Sequence, residues 1–116
     1  MPRDMSDADS ILRDVFGFDS FRPGQSEIVE AVSHGENVLA IMPTGGGKSL
    51  CFQLPALVRR GVTVVISPLI ALMRDQVRGL REAGVAAGAL TSANTDVEND
   101  AVWDMLHSGA LKLLYL

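Results

Sequence analysis

The sequence is poor in the residues that build disulfide frameworks, metal centres and membrane spans. Its 116 residues include one cysteine, Cys51, and two histidines, so an internal disulfide is excluded and we expect no zinc site. No apolar run approaches the roughly 18 residues that a membrane helix needs. The polar, acidic residues 1–10 do not resemble a signal peptide and are expected to be flexible. These absences predict a soluble, cytoplasmic protein in which Cys51 is buried as a small apolar residue.

Positive charge is scarce as well. The chain has 10 lysines and arginines against 14 aspartates and glutamates, for a net charge of −4 and an isoelectric point near 5.0. Proteins that bind nucleic acid on their own usually carry a basic face, so any contact with DNA must be local or shared with another segment. Hydrophobic residues make up 47% of the chain, which excludes intrinsic disorder and predicts one folded domain over residues 1–116.

A glycine-rich loop between two apolar segments is the most informative feature of the chain. Val38 to Met42 is typical of a buried strand, and Lys48 to Val58 is typical of a helix. This order of strand, loop and helix is that of a phosphate-binding loop. Glycines let backbone N–H groups approach phosphate oxygens, and a helix N-terminus, an ammonium group and a hydroxyl for Mg²⁺ complete such a site. The residues that this interpretation assigns to phosphate and Mg²⁺ are Thr44, Gly45, Gly46, Gly47, Lys48 and Ser49.

The loop departs from the Gly-x-x-x-x-Gly-Lys-Ser/Thr pattern at one position, because Met42 stands where the first glycine is expected. The alternative interpretation is an ordinary glycine-rich turn that carries a surface lysine. The apolar strand before the loop and the apolar helix after it favour nucleotide binding.

The segment from Phe16 to Gln25 precedes the loop and combines three aromatic residues with an arginine and a glutamine. The carboxamide of Gln25 carries both a donor and an acceptor, so it can pair with an adenine edge at two points. An aromatic ring can stack on the base. The alternative, two core phenylalanines and a helix-capping turn, explains the same composition.

Strand and helix patterns alternate along the chain, which predicts an α/β fold with a parallel sheet flanked by helices. The first strand is expected at Asn37 to Met42. Further strands are expected at 62–66, 85–90 and 111–116, and the apolar character of 62–66 predicts burial on both faces.

Short local signals predict where the helices begin and end. Thr95 and Glu98 form a capping box, and Ser67 can cap a helix with Pro68 in its first turn. Pro55 should end or kink the helix that follows the loop, or make its last turn irregular. The apolar positions predicted to face inward are Leu69, Leu72, Met73, Val77 and Leu80 in the helix at Pro68, and Val97, Ala101, Val102 and Met105 in the helix after Thr95.

Three motifs resemble the RecQ family of ATP-dependent DNA helicases. They read Phe-Gly-x-x-x-Phe-Arg-x-x-Gln, Met-Pro-Thr-Gly-Gly-Gly-Lys-Ser-Leu-Cys-Phe-Gln-Leu-Pro and Ser-Pro-Leu-Ile-Ala-Leu-Met-x-Asp-Gln-Val. Their order and spacing match the first helicase domain of that family from about Leu12 to Leu116, and Met42 is usual there. The resemblance implies a partial P-loop NTPase domain of the RecA-like type.

The resemblance also implies a role for each matching residue. Phe18 would stack on adenine, where many relatives carry tyrosine, and Arg22 and Gln25 would hold the adenine edge. Lys48 would act with the loop backbone on the transferred phosphate, and Ser49 would bind Mg²⁺. The residues implied to contact the backbone of single-stranded DNA are Ser67, Pro68 and Leu69, with Thr91 and Ser92 as a further candidate for which turn formation is an equal alternative.

The family's acidic motif Asp-Glu-x-His, which orients the attacking water and contacts Mg²⁺, is missing from the sequence. We therefore expect the ATP-binding portion of a 3′-to-5′ DNA helicase of repair and recombination, which acts on single strands and junctions and is inactive alone. In the sheet order of this family, strands from later in the chain flank the strand before the loop. That strand would lack these neighbours here, which predicts low stability. Two alternatives remain open, a fragment of a DEAD-box RNA helicase and a non-catalytic nucleotide-binding module.

Overall fold

The computed structural model describes residues 5–42 and 47–116. The chain forms two compact units, Met1–Arg60 and Gly61–Leu116. The fold class is α/β, as the alternation of patterns predicts. No helix in the described ranges is long and apolar enough to cross a membrane. In chain order the elements are α1 (Met5–Asp14), α2 (Gln25–Ser33), α3 (Leu50–Val58), β1 (Thr63–Val65), α4 (Ile70–Glu82), β2 (Ala87–Ala89), α5 (Asp96–His107) and β3 (Leu113–Tyr115).

Three helices form the first unit, in which α1 and α2 both pack against α3. Their apolar residues recur every three or four positions, so each helix buries one stripe. α1 includes residues 5–10, which the composition predicts to be flexible, and Ala8 within them is fully buried. The residues of the shared core are Ala8, Ile11, Leu12, Val29, Leu50, Leu54 and Val58.

The helix after the glycine-rich loop continues through its proline. α3 begins at Leu50, two residues later than predicted, and runs to Val58 with Pro55 inside it. Of the effects expected of Pro55, an end of the helix at that residue does not occur, and the predicted end near Val58 is confirmed. Pro55 is fully buried, and its carbonyl accepts a hydrogen bond from the Arg59 N–H at 2.9 Å. Burial of the ring in the core offsets the one backbone hydrogen bond that proline cannot donate.

The strand predicted at Asn37 to Met42 is absent from the structure. These residues form no strand, and the side chains of Leu39 and Ile41 are each 90% exposed. An apolar extended segment becomes a strand only when a neighbour completes its hydrogen bonds and covers its faces. Among the residues that the structure describes, none pairs with this segment. The prediction of a buried strand before the loop is therefore wrong for this chain.

The second unit contains a parallel sheet. Within the described residues it has three strands in the order β1-β3-β2. Thr63 of β1 and Ala87 of β2 both pair with Leu113 of β3. β3 is buried along its whole length, and the hydroxyl of Tyr115 donates to Gln76 Oε1 of α4 at 2.8 Å. The central position of β3 explains why the last strand along the chain is the best covered.

The edge strand β1 is less buried than its sequence predicts. Val64 is exposed, and Ile66 directly after the strand is 82% exposed. The prediction of burial on both faces is therefore wrong. Thr63 and Val65 are half-buried while Val64 and Ile66 are exposed, and because side chains alternate along a strand, one face of β1 is uncovered by the described residues.

The inward faces predicted for α4 and α5 are partly wrong. Met73, Val77, Leu80 and Val102 are buried, whereas Leu69, Leu72, Val97 and Ala101 are exposed.

The helix starts show which capping predictions hold. Thr95 and Glu98 form the predicted capping box, in which Glu98 N donates to Thr95 Oγ1 at 3.2 Å and Thr95 N donates to Glu98 Oε1 at 3.2 Å. The predicted cap at Ser67 is wrong. Leu69 is the N-cap of α4, and Ser67 Oγ instead accepts from Leu69 N at 3.3 Å in a tight turn.

Candidate functional site

A cleft of about 150 Å³ lies in the first unit, where the segment before α2 meets the start of α3. It brings together residues that the sequence assigns to base recognition and to the phosphate loop. Those predicted residues are Phe18, Arg22, Gln25, Gly47 and Ser49. Their closeness follows from the packing of α2 against α3, because Gln25 opens α2 and Ser49 precedes α3.

A tight turn holds Gln25 at the cleft. The Gln25 N–H donates to the Arg22 carbonyl at 3.0 Å, and Gly24 has φ 84° and ψ −18°. Proline at the second position and glycine with positive φ at the third are the features of a type II turn. The side chain closes the same turn, since Gln25 Oε1 accepts from the Arg22 N–H at 2.7 Å. The turn therefore fixes both the backbone and the carboxamide of Gln25.

The same carboxamide contacts the end of the glycine-rich loop. Gln25 Nε2 donates to the Gly47 carbonyl at 3.1 Å, and Gln25 is only 3% exposed. A primary amide has two donors and two acceptor sites, and these two hydrogen bonds use one of each. A rotation of the amide that exchanged its oxygen and nitrogen would break both hydrogen bonds. The two contacts therefore decide which end of Gln25 donates and which accepts.

Gly47 is required at its position for two independent reasons. Its φ is +79°, a conformation that side chains rarely adopt. A Cβ atom added there would also collide with Gln25 Nε2. The close approach of the loop backbone to the Gln25 carboxamide therefore depends on the missing side chain.

The aromatic residues before α2 divide into two roles. Phe16 and Phe21 are partly buried and pack against the core of the first unit, which agrees with the core alternative for these two rings, and Phe16 also lines the cleft. Phe18 is 50% exposed at the cleft. Its backbone is held by a hydrogen bond from Phe18 N to the Leu12 carbonyl at 3.0 Å. Phe18 is therefore anchored through its backbone while its ring stays accessible for stacking.

The phosphate loop is described in part. Thr44, Gly45 and Gly46 lie outside the described residues. Ser49 is the N-cap of α3, and its carbonyl accepts from Gln53 N at 2.9 Å. The N–H groups of Cys51 and Phe52 donate to the carbonyls of Lys48 at 3.1 Å and Ser49 at 3.3 Å. The start of a helix also carries the positive end of its dipole, which suits an anion. Ser49 lies at the cleft, and Lys48 is exposed on a neighbouring cavity of about 260 Å³.

Cys51 is buried beside the loop, as its apolar neighbours predict. Its Sγ lies 3.8 Å from the Gly47 carbonyl oxygen and 4.0 Å from Met42 Sδ. Burial raises the pKa of the Cys51 thiol, which keeps it protonated and unreactive at neutral pH. Cys51 is therefore a packing residue of the loop.

The residues proposed for DNA contact lie in the second unit. Ser67 follows the carboxyl end of β1, and its N–H donates to the Leu116 carbonyl at 3.0 Å. Leu69 is exposed. Thr91 follows the carboxyl end of β2, and its hydroxyl donates to Asn94 Oδ1 at 3.1 Å and accepts from Ala93 N at 3.2 Å. Both segments thus lie at the carboxyl edge of one parallel sheet, and Thr91 takes part in a turn, as its alternative interpretation predicts.

Three further residues line the cleft that sequence reasoning did not assign to it, namely Ser20, Leu50 and Gln53. Gln53 carries a usable signal. It is the one polar residue in the apolar helix Leu50–Val58, and it lies one helical turn after Ser49, on the same face. Ser20 and Leu50 carry no comparable signal.

Known helicases are similar to this chain over most of its length. The DEAD/DEAH box helicase family model matches residues 22–115. The chain is 50% identical over 107 residues to the ATP-dependent DNA helicase RecQ of Haemophilus influenzae, covering 92% of this chain and 17% of that protein. It is 47% identical over 110 residues to RecQ of Bacillus subtilis, covering 94% and 19%. It is 46% identical over 113 residues to the ATP-dependent DNA helicase Q-like 2 of Arabidopsis thaliana, covering 96% and 16%. The chain thus spans less than a fifth of the length of these three relatives.

Proposed function

The chain belongs to the DEAD/DEAH box helicase family, resembles its RecQ members, and from this premise we propose that it is the ATP-binding part of a 3′-to-5′ DNA helicase. The observation that carries the proposal is the oriented carboxamide of Gln25, which joins the turn at Arg22 to the loop at Gly47. A base site and a phosphate loop held by one side chain form a single nucleotide site.

Adenine selection follows from the fixed direction of the Gln25 amide. Its Oε1 would accept from an amino group through its second acceptor site, and its Nε2 would donate its second hydrogen to a ring nitrogen. Adenine presents that pair of groups on one edge. Phe18 would stack on the base from the accessible side, and Arg22 would contact the same edge.

Phosphate and Mg²⁺ would be held at the start of α3. The loop from Thr44 to Gly47 supplies backbone N–H groups, and Lys48 supplies a mobile positive charge for the terminal phosphates. Ser49 supplies one hydroxyl oxygen, which fits Mg²⁺ because this ion commonly takes one or two protein oxygens together with phosphates and water. When bound, Mg²⁺ neutralises charge that develops during phosphoryl transfer.

DNA contact is proposed for Ser67, Pro68 and Leu69 at the carboxyl edge of the sheet. A serine hydroxyl and backbone N–H groups are typical contacts to phosphates, which position a strand without reading its sequence. The relatives are named DNA helicases, and we propose unwinding of DNA junctions during repair and recombination in the cytoplasm or nucleoid. We also propose that these 116 residues bind ATP without turning it over.

The proposal is tested first at Lys48 in the full-length protein. Lys48→Ala should lower ATP turnover by at least about a hundredfold, since the ammonium group stabilises the charge of the transferred phosphate. Arg60→Ala, which removes an exposed positive charge from the connection after α3, is the matched control and should keep full turnover. ATPase activity retained in the Lys48 variant would refute the assignment.

Two arms of the same assay separate the alternatives. Stimulation of turnover by single-stranded DNA but not by RNA supports a DNA helicase, and the reverse supports an RNA helicase of the DEAD-box type. ATP binding without turnover in the full-length protein, with or without either nucleic acid, would identify a non-catalytic nucleotide-binding module.

A further inference from the structure

A larger cavity lies in the unit Gly61–Leu116, and none of the residues assigned above to nucleotide lines it. It is a groove of about 710 Å³ between α4 and α5, alongside the edge of β2. Its aliphatic lining comes from Val77 of α4, Ala89 of β2, and Val97, Ala101 and Val102 of α5. Val97 and Ala101 are the two positions of α5 that the sequence predicts to face inward and that the structure leaves exposed. An exposed aliphatic patch inside a groove is typical of a binding site for another molecule.

The edge of β2 in this groove is closed to an added strand. Lys112 N donates to the Ala86 carbonyl and Leu90 N donates to the Tyr115 carbonyl, so the even-numbered residues of this segment bond to β3. The carbonyls of Ala87 and Ala89 therefore point outward, because backbone direction alternates along a strand. Each of these two carbonyls already accepts from a side chain, Ala87 from Arg81 Nε at 2.8 Å and Ala89 from Asn94 Nδ2 at 2.7 Å.

Closure of the edge limits how a ligand can bind. An extended peptide that added to β2 would need these outward carbonyls as acceptors, and the side chains of Arg81 and Asn94 cover them. A ligand in the groove must therefore bind through its side chains, as a helix does in an apolar groove.

One wall of the groove carries a row of arginines. Arg74, Arg78 and Arg81 occupy positions i, i+4 and i+7 of α4 and all line the groove, so they share one face over about 10 Å. The two outer guanidinium groups are held by backbone carbonyls, Arg74 by Ala93 at 3.0 Å and Arg81 by Ala87. Each guanidinium has five N–H donors, so both retain donors for a ligand. Their positions are fixed before binding, which lowers the entropy cost of a new ion pair.

The middle arginine is accessible. Arg78 pairs with Asp75 at 3.3 Å, and both side chains are 68% exposed. Exposed pairs of this kind contribute little to stability, so a carboxylate of a ligand can replace Asp75 at small cost.

The composition of the groove favours a protein ligand over a nucleic acid. None of the described residues that line it is aromatic, whereas sites for single strands commonly stack bases on aromatic rings. Two carboxylates, Glu82 and Glu98, also lie at the groove, so the anionic groups of any ligand must lie along the arginines and away from these two side chains. Glu98 is already bonded within the capping box of α5.

We propose that this groove binds an acidic amphipathic helix of a partner protein. The apolar face of that helix would pack on Val77, Val97 and Ala101, and carboxylates along its border would pair with the arginines of α4. This inference is independent of the nucleotide site, so Lys48→Ala should leave such binding unchanged.

Fluorescence anisotropy with two labelled peptides of about 18 residues, long enough to form an isolated helix, tests the proposal on the full-length protein. Both peptides carry leucines on one face, with glutamates along the border in one and lysines in the other. The acidic peptide should bind with a dissociation constant of about 1–100 μM, and added salt should weaken it. The lysine peptide should bind at least about tenfold more weakly because it meets the arginine row with like charge.

Two variants locate the binding site. Arg78→Glu should weaken the acidic peptide by at least about tenfold, and Ala101→Trp should do so by filling the groove without a change of charge. Arg60→Glu, which reverses an exposed arginine outside the groove, is the charge-matched control and should change binding less than about twofold. Circular dichroism of each variant should match that of the parent.

Three results would overturn the proposal. Equal binding of the two peptides would show attraction without charge recognition. Weakening by Arg60→Glu equal to that by Arg78→Glu would show attraction by net charge alone. Binding of a labelled oligo-dT strand that is lost in Arg78→Glu would assign the arginine row to nucleic acid.

Discussion

At the scale of single residues, the carboxamide of Gln25 organises the nucleotide cleft. It accepts from Arg22 N at 2.7 Å and donates to the Gly47 carbonyl at 3.1 Å, so it is held by two segments that are far apart in sequence. The sequence assigns Gln25 to adenine and Gly47 to phosphate from separate motifs. It does not reveal that the two residues touch, because a contact across 22 positions depends on how α2 packs against α3.

The first residue-scale prediction concerns Gly47. Gly47→Ala should lower the free energy of unfolding by about 1–2 kcal/mol because of its backbone conformation. The contact between the added methyl group and Gln25 Nε2 should add a further loss. Gly17→Ala is the matched control in the same unit, since Gly17 has φ +76° and no atom within 4 Å of an added Cβ. Urea titration should show a clear excess loss for Gly47→Ala. Equal losses for the two variants would contradict the close contact between Gly47 and Gln25.

The second residue-scale prediction concerns Cys51. Burial raises the pKa of its thiol, so the folded state binds this proton more tightly than the unfolded chain does. The associated stability is complete below the unfolded pKa of about 8.5 and is lost as pH rises through the higher folded pKa.

Alkylation by iodoacetamide at neutral pH measures this protection. Because thiolate is the reactive form, Cys51 should react at least about tenfold more slowly in the native protein than in urea. Equal rates in buffer and in urea would show that the thiol is accessible and would remove Cys51 from the packing beside the loop.

At the scale of elements, signals that act within one turn of the chain predict structure well. The capping box of Thr95 and Glu98 forms as expected, and Gly84 and Gly109 follow the ends of α4 and α5 with positive φ. Features that depend on coverage are predicted poorly. The apolar segment 37–42 is no strand because no described residue pairs with it, and its composition cannot reveal whether a neighbour is present.

The element-scale prediction uses the capping box. Thr95→Ala should lower the free energy of unfolding by about 1 kcal/mol, since the N–H of Glu98 loses its acceptor at the start of α5. Glu98→Gln should cost less, because glutamine can serve in the same box. Ser92→Ala, at an exposed position before the helix, is the control. A Thr95→Ala variant as stable as Ser92→Ala would show that α5 does not depend on its cap.

At the scale of the whole molecule, two units divide the predicted functions. The helical unit Met1–Arg60 contains the proposed ATP cleft, and the unit Gly61–Leu116 contains the proposed DNA-contacting edge and the arginine-lined groove. The motifs were sufficient to predict the α/β class and the RecQ resemblance, because these depend on residue type and spacing. The groove was not predictable, since it is formed by Ala101 and Val97, whose sequence pattern indicates burial.

We propose above all that the oriented amide of Gln25 selects adenine. Guanine presents a carbonyl oxygen where adenine presents an amino group, and that oxygen would face the fixed Oε1 of Gln25 without a hydrogen between them. An unpaired acceptor in a buried site costs about 1–3 kcal/mol, so the preference lies between about fivefold and about 150-fold, and a cost of about 2 kcal/mol gives roughly thirtyfold.

Equilibrium titration of fluorescent ATP and GTP analogues against the full-length protein and its Gln25→Ala variant measures this preference directly. We predict at least about tenfold tighter binding of the ATP analogue by the parent, and a loss of that preference in Gln25→Ala with phosphate-dependent binding retained. Equal affinities for the two analogues in the parent, or an unchanged preference in Gln25→Ala, would contradict the claim.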